Sequence, residues 1–324
     1  MQLVNINRRQ LLAAAGLSGI GVTALASDKF PSKPINFILP FPAGGATDVQ
    51  MRALAQSASQ ILGQQVVFLN RPGNGGTLGP AGMAQSSPPD GYTISVVVAT
   101  LFRLPHLAKV TYDPVNDFTY IINLTGYTTG VVVKQDAPWK SLKELIEDAR
   151  KRPGQISVGS TGRGSGGHVA MERLARKENV KFNFIPFKGG QETTTALLGG
   201  HLDVIADPGW GPIVDSGRAR TLAIMNTERL PRLKDVPTLK ELGYDIVVDS
   251  PIGLAGPKGM PAHVVKVLHD AFRQAMQQEP FLKALEQNDQ VPIYMGTEEY
   301  TTYAKKQTGI EKQFVDQLGL ATIS

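Results

Sequence analysis

Residues 37–48 read FILPFPAGGATD, and the order of residue types in this stretch decides the fold. Phe37 to Phe41, four apolar or aromatic residues and a proline, read as the end of a buried strand. Pro42, Ala43, Gly44 and Gly45 allow a tight turn with an open backbone. Thr47 has Gln50 three residues on, the spacing of a capping box, and Val49, Ala53, Leu54 and Ile61 follow at helical intervals. Strand, glycine turn and helix start in that order leave unpaired N–H groups aimed at one spot with a helix dipole behind them, which is a preformed anion site. The same pattern also serves as a plain connection, so its meaning depends on what lies opposite.

Beyond this stretch the chain alternates short apolar runs with helical ones, the pattern of open sheets covered by helices in an α/β fold. Residues 65–69, 93–99, 156–159, 182–187, 204–206 and 221–225 read as strands. Residues 119–133 read as two strands that bend, or cross between lobes, near Gly126. Ser141–Glu144 and Thr238–Glu241 have capping-box spacing, each predicting a helix. Amphipathic helices are predicted at about 261–278 and 297–317. A second glycine-rich turn, GSTGRGSGGH at 159–168, again stands between a strand and a helix, about 120 residues from the first. Ligands in such sheets bind at the carboxyl ends of strands. Two lobes, 27–126 with 251–324 and 127–250, would then offer two helix N-termini to one cleft.

The first 26 residues form a separate unit. Arg8 and Arg9 precede an apolar stretch, Leu11–Leu25, too short for a stable membrane anchor, and Ala24-Leu25-Ala26 fits small-x-small cleavage. This predicts a signal peptide removed after Ala26 and a periplasmic mature protein that is not embedded in the membrane. Asn7–Leu12 also resembles a twin-arginine signal, so both export routes stay open. Removal takes two arginines and no acids, so the formal charge falls from +5 to +3. No Lys/Arg cluster interleaves with aromatics, which argues against nucleic acid as a partner. Cysteine is absent, which excludes disulfides, thiolate metal sites, a cysteine nucleophile and a lipoprotein anchor.

Motifs for chemistry are missing or incomplete. Gly162-x-Gly164-x-x-Gly167 matches a dinucleotide fingerprint in form, but no acidic residue follows at the ribose-binding distance. Ser160, Thr161 and Ser165 suit a smaller anion. There is no Gly-x-Ser-x-Gly elbow, Walker pattern or His-Glu-x-x-His, and His106, His168, His201, His263 and His269 lack metal-ligand spacing. His168 follows the glycine turn and is kept as a candidate, as are Lys188 and Trp210 at strand-to-helix joins. Phe102 and Arg103 follow the third strand, where the arginine offers a bidentate carboxylate partner.

With these residues in view, the mature chain resembles the solute-binding receptors of tripartite tricarboxylate transporters, also called the Bug family. The resemblance is carried by PFPAGGATD at 40–48, NRPGNGG at 70–76, PDGYT at 89–93, YDPVNDF at 112–118, GSTG at 159–162, PFKGG at 186–190, ALLGG at 196–200 and DVPTL at 235–239. It implies a two-lobed periplasmic binding protein, type II-like, each lobe a mixed β-sheet flanked by helices with the ligand cleft between them. It implies capture of a small organic carboxylate and delivery to membrane transporter subunits, by a monomer with no cofactor and no catalytic set. By the same resemblance the carboxylate is held by main-chain groups and water at Pro42, Ala43, Gly44, Gly45, Ala46, Thr47 and Asp48 and at Ser160, Thr161, Gly162 and Ser165, with Gly75, Gly76 and Asp207 nearby. Two departures stand out: Ala43 replaces the second of a usual proline pair, and Thr100–His106 is bulkier than the small polar residues usual there. Phe102 and Arg103 are therefore expected to shape one wall, which would suit an aromatic carboxylate. A sensory adaptor that docks on a sensor protein, or an exported hydrolase or dehydrogenase using Ser165 or His168, are the competing readings.

Overall fold

The computed structural model describes residues 30–230, 232–248 and 250–318, without the side chains of residues 314, 317 and 318. The signal read at 1–26 lies outside the described residues. In chain order the first stretch holds β1 (Ile35–Leu39), α1 (Ala46–Leu62), β2 (Val66–Asn70), α2 (Leu78–Ser86), β3 (Thr93–Val98), α3 (Thr100–Arg103) and β4 (Phe118–Gly126). The middle holds β5 (Gly130–Lys134), α4 (Leu142–Lys151), β6 (Ser157–Ser160), α5 (Gly166–Glu178), β7 (Asn183–Pro186), α6 (Gly190–Leu198), β8 (Val204–Asp207), α7 (Gly211–Asp215) and β9 (Ala219–Ile224). The last holds β10 (Pro251–Pro257), α8 (Ala262–Ala275), α9 (Glu279–Glu286), β11 (Pro292–Met295) and α10 (Thr297–Leu318).

The strands form two mixed sheets, one in each lobe, in the orders β11-β4-β10-β3-β1-β2 and β7-β6-β8-β5-β9. β1 lies between parallel β2 and β3, and its side chains alternate between two cores. Phe37 and Leu39 meet Leu54 of α1 and Leu268 and Phe272 of α8, whereas Ile38 faces Met83, Phe102 and Tyr300 on the other side. A strand apolar on both faces has to be interior, and each fully buried phenylalanine contributes about 1.5–3 kcal/mol. The second lobe repeats the plan. Val131 and Val133 face Leu145 of α4 and Leu174 of α5, while Val132 faces Leu197 of α6 and Trp210.

The chain passes between the sheets twice, at 127–129 and at 225–250. The two crossings are bonded to each other: Tyr127 N–H donates to Ser250 O at 2.9 Å and Met225 N–H to Thr129 O at 2.9 Å. No helix among the described residues is long and apolar enough to cross a membrane.

Three local expectations change. Thr238 and Glu241 make their reciprocal bonds, at 3.0 and 2.8 Å, but the segment stays a turn because Gly243 at φ +86 leads the backbone away. The helix expected to 278 ends at Ala275, and α9 restarts with a proline in its first turn. β11 was not read from the sequence; it is a short, exposed edge strand opened by Pro292, a place where proline is tolerated. Ser141 caps α4 as expected, and Leu142, Leu145, Ile146 and Ala149 form its buried stripe.

Candidate functional site

The glycine turn after β1 does what its composition suggests, with one exchange of roles. Gly44 takes a left-handed φ of +82, and Gly45 is the N-cap of α1. Thr47 is not the cap. Its hydroxyl shares a 2.6 Å hydrogen bond with Tyr127 Oη, tying α1 to the first crossing. Asp48 supplies the closure instead: Oδ2 accepts from Gly44 N–H at 3.0 Å and from Arg52 Nε at 2.8 Å, and Oδ1 from Asn70 Nδ2 at 3.2 Å. Burial pulls its pKa upward, but these donors together hold it below the usual carboxylate range. Its charge is thus spent inside the first lobe. The N–H groups of Ala46 and Thr47, in the first turn of α1, have no intrahelical acceptor.

The second glycine turn faces it from the other lobe. Gly162 and Gly164 adopt φ of +78 and +77. Ser165 caps α5, accepting from His168 N–H at 3.4 Å, and its Oγ shares a 2.5 Å bond with Ser160 Oγ. The third glycine of the fingerprint-like pattern has a packing reason: a Cβ on Gly167 would lie 1.7 Å from Ala206 O, so α5 rests directly on the β8 backbone. His168 accepts from Gly164 N–H through Nδ1 at 3.0 Å and lies against Phe184 with ring centroids 4.0 Å apart. Burial, with Arg163 and Arg103, pushes its pKa down to about 4.

Between the lobes lies a cleft of about 640 Å³. Of the residues singled out from the sequence, Pro42, Gly44, Gly45, Ala46, Thr47, Gly75, Thr161, Ser165 and Asp207 line it. Ala43, Asp48, Gly76, Ser160 and Gly162 are not among its lining residues, and of these Asp48, Gly76 and Ser160 are buried. Phe102 and Arg103 correct the expectation about one wall. α3 turns Phe102 into the core beside Tyr120 and Tyr303, and Arg103 pairs with Glu311 of α10 and donates to Gly164 O at 2.9 Å. Neither lines the cleft. Lys188 is exposed, and Trp210 is fully buried beneath Gly130 rather than forming a pocket wall.

Sequence reasoning missed part of the site. Gly189 caps α6, and Gly190 and Gln191 bring a third helix N-terminus to the cleft. That turn has the same strand–glycine–helix order as the other two, so the signal was present. Tyr127 and Thr129 of the first crossing, Thr100, and Gln287 and Asn288 after α9 also line it, and these have no local signature.

No lysine, arginine or histidine is among the lining residues; the ionisable side chains there are Tyr127, Asp207 and Asp215. Asp215 pairs with Arg232, which also holds Asp289 of the first lobe. Asp207 is 2% exposed, accepts from Thr161 Oγ1 at 2.6 Å, and burial raises its pKa to about 7. The donors facing the cleft are therefore hydroxyls, amides and helix-terminal N–H groups, a set that holds an anion without a counter-charge. The lobes meet around the rim: a Cβ on Gly44 would lie 3.0 Å from Gln191 Oε1, on Gly189 2.9 Å from Pro42 Cδ, and on Gly162 3.0 Å from Gly75 N. Among the described residues no cluster of three or more His, Cys, Asp or Glu could hold a metal ion.

Residues 50–320 match the family described as the tripartite tricarboxylate transporter family receptor. A protein encoded in the gbd 5′ region of Cupriavidus necator is 44% identical over 325 residues, covering 98% of this chain and 99% of that one. The structure of the periplasmic binding protein BugD superposes with a TM-score of 0.85 at 30% identity, over 90% of this chain and 99% of that one. MatC from Rhodopseudomonas palustris, solved with bound malate, gives a TM-score of 0.82 at 26% identity over 88% and 100% of the two chains.

Proposed function

The chain belongs to the tripartite tricarboxylate transporter receptor family, and we propose that its interlobe cleft captures a small organic carboxylate and hands it to the membrane subunits of such a transporter. It is a solute-binding receptor. The observation that carries the ligand class is the convergence of the N-termini of α1, α5 and α6 on a cleft whose lining has no cationic side chain. Hydrogen bonds to a charged acceptor contribute about 1.5–3 kcal/mol each, so a few backbone donors are enough for retention, and lobe closure then excludes water.

We read the protein as a binder and not an enzyme. Ser165 Oγ is engaged with Ser160 Oγ and with His168 N–H, and His168 Nδ1 is engaged with Gly164 N–H, so the pair has no base–nucleophile hydrogen bond. The membership of the two sheets supports lobes of 27–126 with 251–324 and of 127–250. Export through residues 1–26, cleavage after Ala26 and action in the periplasm as a monomer complete the proposal. The test is a thermal-shift series on purified mature protein with succinate, malate, adipate and benzoate. Stabilisation by at least one of them, rising with concentration as RT ln(1 + [L]/Kd), is expected. No shift with any, and no carboxylate retained on native mass spectrometry, would refute it.

A further inference from the structure

We propose that Asp207 makes the cleft a two-component site, in which the organic carboxylate is bound together with one proton held on this side chain. The inference rests on the carboxylate reading above and adds the proton as a second ligand. Asp207 ends β8, where ligands of such sheets bind. It lines the cleft on the same wall as the N-termini of α5 and α6, the donors available to an anion. An incoming carboxylate therefore shares this wall with a carboxyl group already there. Two carboxylates confined together in a site shielded from water do not both stay ionised; one takes a proton.

Among the described residues Asp207 has no ion-pair partner. From the loop after β6 it accepts from the Thr161 hydroxyl at 2.6 Å and from the Thr161 backbone N–H, and from α6 it meets the Thr193 hydroxyl; these bonds favour the ion, but burial outweighs them. A Cβ on Gly190, at the start of α6, would lie 3.8 Å from its Oδ2. Its neighbour on β5 is Gly130, and α5 approaches the end of β8 through Gly167. Tyr127, on the first crossing, is the titratable group that feels its charge, and burial raises that phenol so that it stays neutral. Arg163, in the same glycine loop, is exposed to solvent. Asp215 is the other carboxylate of the cleft, and Arg232 neutralises it. With burial holding the Asp207 pKa at about 7, the proton is already present below that pH and must be taken up with the ligand above it.

Linkage then sets the outcome. Over a range where succinate, malate and adipate each carry at least one ionised carboxyl throughout, affinity is flat on the acid side and falls by roughly tenfold per pH unit on the alkaline side. The experiment is isothermal titration of mature protein with whichever of these three, or benzoate, shifts its melting temperature. It is run at about pH 6 and about pH 9 in pairs of buffers with different ionisation heats. Expected are uptake of about one proton per ligand at the higher pH, almost none at the lower, and at least a tenfold loss of affinity between them. In Asp207→Asn the proton uptake disappears and the two affinities become equal. The wild-type proton count decides the matter even where the variant folds poorly. Equal wild-type affinities with no proton uptake would overturn the proton linkage and leave the carboxylate reading standing. Binding of none of the four at either pH, with no carboxylate retained on native mass spectrometry, overturns both.

Discussion

Arg103 and Glu311 form a two-pronged buried ion pair, with Nε to Oε2 at 2.7 Å and Nη2 to Oε1 at 2.8 Å. Their side chains are 6% and 4% exposed, so the pair is held almost without water. The remaining prong, Nη1, reaches across to Gly164 O in the glycine turn of the second lobe at 2.9 Å. An arginine placed by the sequence where it could meet a ligand is instead a brace between α10 and the loop that holds Thr161 and Ser165. It acts on the site through that loop.

Removing one partner of such a pair leaves an unpaired buried charge. Glu311→Ala is expected to destabilise the protein by about 3–5 kcal/mol, whereas the double change Arg103→Met with Glu311→Leu, which removes both charges, is expected to cost far less. Urea unfolding of the three proteins checks this. A double variant no more stable than Glu311→Ala would show that shape, and not charge, is what the pair supplies.

Gly162→Ala tests whether contact between the lobes limits ligand retention. The substitution strains a backbone at φ +78 and puts a Cβ 3.0 and 3.1 Å from the Gly75 N and Cα of the opposite lobe. Gly200 is the matched control: φ is +75 and nothing lies within 4 Å of its added Cβ. Both variants are expected to lose about 1 kcal/mol to backbone strain. Only Gly162→Ala is expected to weaken carboxylate binding, by roughly tenfold or more, the equivalent of about 1.4 kcal/mol. Equal affinities in the two variants would mean the lobes need not touch there.

These residues also show how far the sequence could be read. β1, its glycine turn and α1 were legible because strand, turn and cap are local patterns. The family motifs place the two glycine loops for the same reason. What stayed hidden is set by distance along the chain. Glu311 is 208 residues from Arg103, so nothing near Arg103 announces that its charge is taken. Thr47 has the spacing of a cap, yet Tyr127, 80 residues on, takes its hydroxyl and Asp48 closes the turn. Gly167 fits a phosphate-binding pattern by spacing, while its cause is contact with the β8 backbone. The α6 terminus was different: its glycines were visible, and what was missing was the third dimension that aims them at the same cleft.

Asp48→Asn separates the turn from the ligand. The native carboxylate is favoured over its unfolded counterpart, so its contribution is complete above the ordinary Asp pKa and disappears as pH falls through the lower native value. The variant is expected to lose about 1–2 kcal/mol near neutral pH, the usual cost of weakening a capping acceptor and its charged partner. The gap from wild type should narrow below about pH 4. Chemical denaturation near pH 7 and near pH 3 measures both. A gap that stays constant with pH would assign the loss to shape alone.

His168 sets an acid limit of opposite kind. Its native pKa, near 4, lies below the ordinary value of 6.5, because burial disfavours the charged ring and two arginines repel it. Between those values the unfolded chain binds a proton that the native protein refuses, so acidification favours unfolding. Stability is complete above about pH 6.5 and is lost progressively toward pH 4, by an amount on the order of 2–3 kcal/mol. Asp207 works the other way over much of the same range, since its native pKa, near 7, exceeds the unfolded 3.8 and the native state holds the extra proton. Wild-type stability against pH therefore does not show the His168 contribution by itself. His168→Asn keeps a short acceptor for Gly164 N–H, removes the ring's titration and leaves Asp207 in place. Subtracting its unfolding free energy from wild type at each pH isolates His168, and the difference is expected to fall steadily from pH 7 to pH 4. A difference independent of pH would mean that the ring is protonated as readily in the native protein as in the unfolded chain, and that its contacts with Gly164 and Phe184 do not hold it neutral.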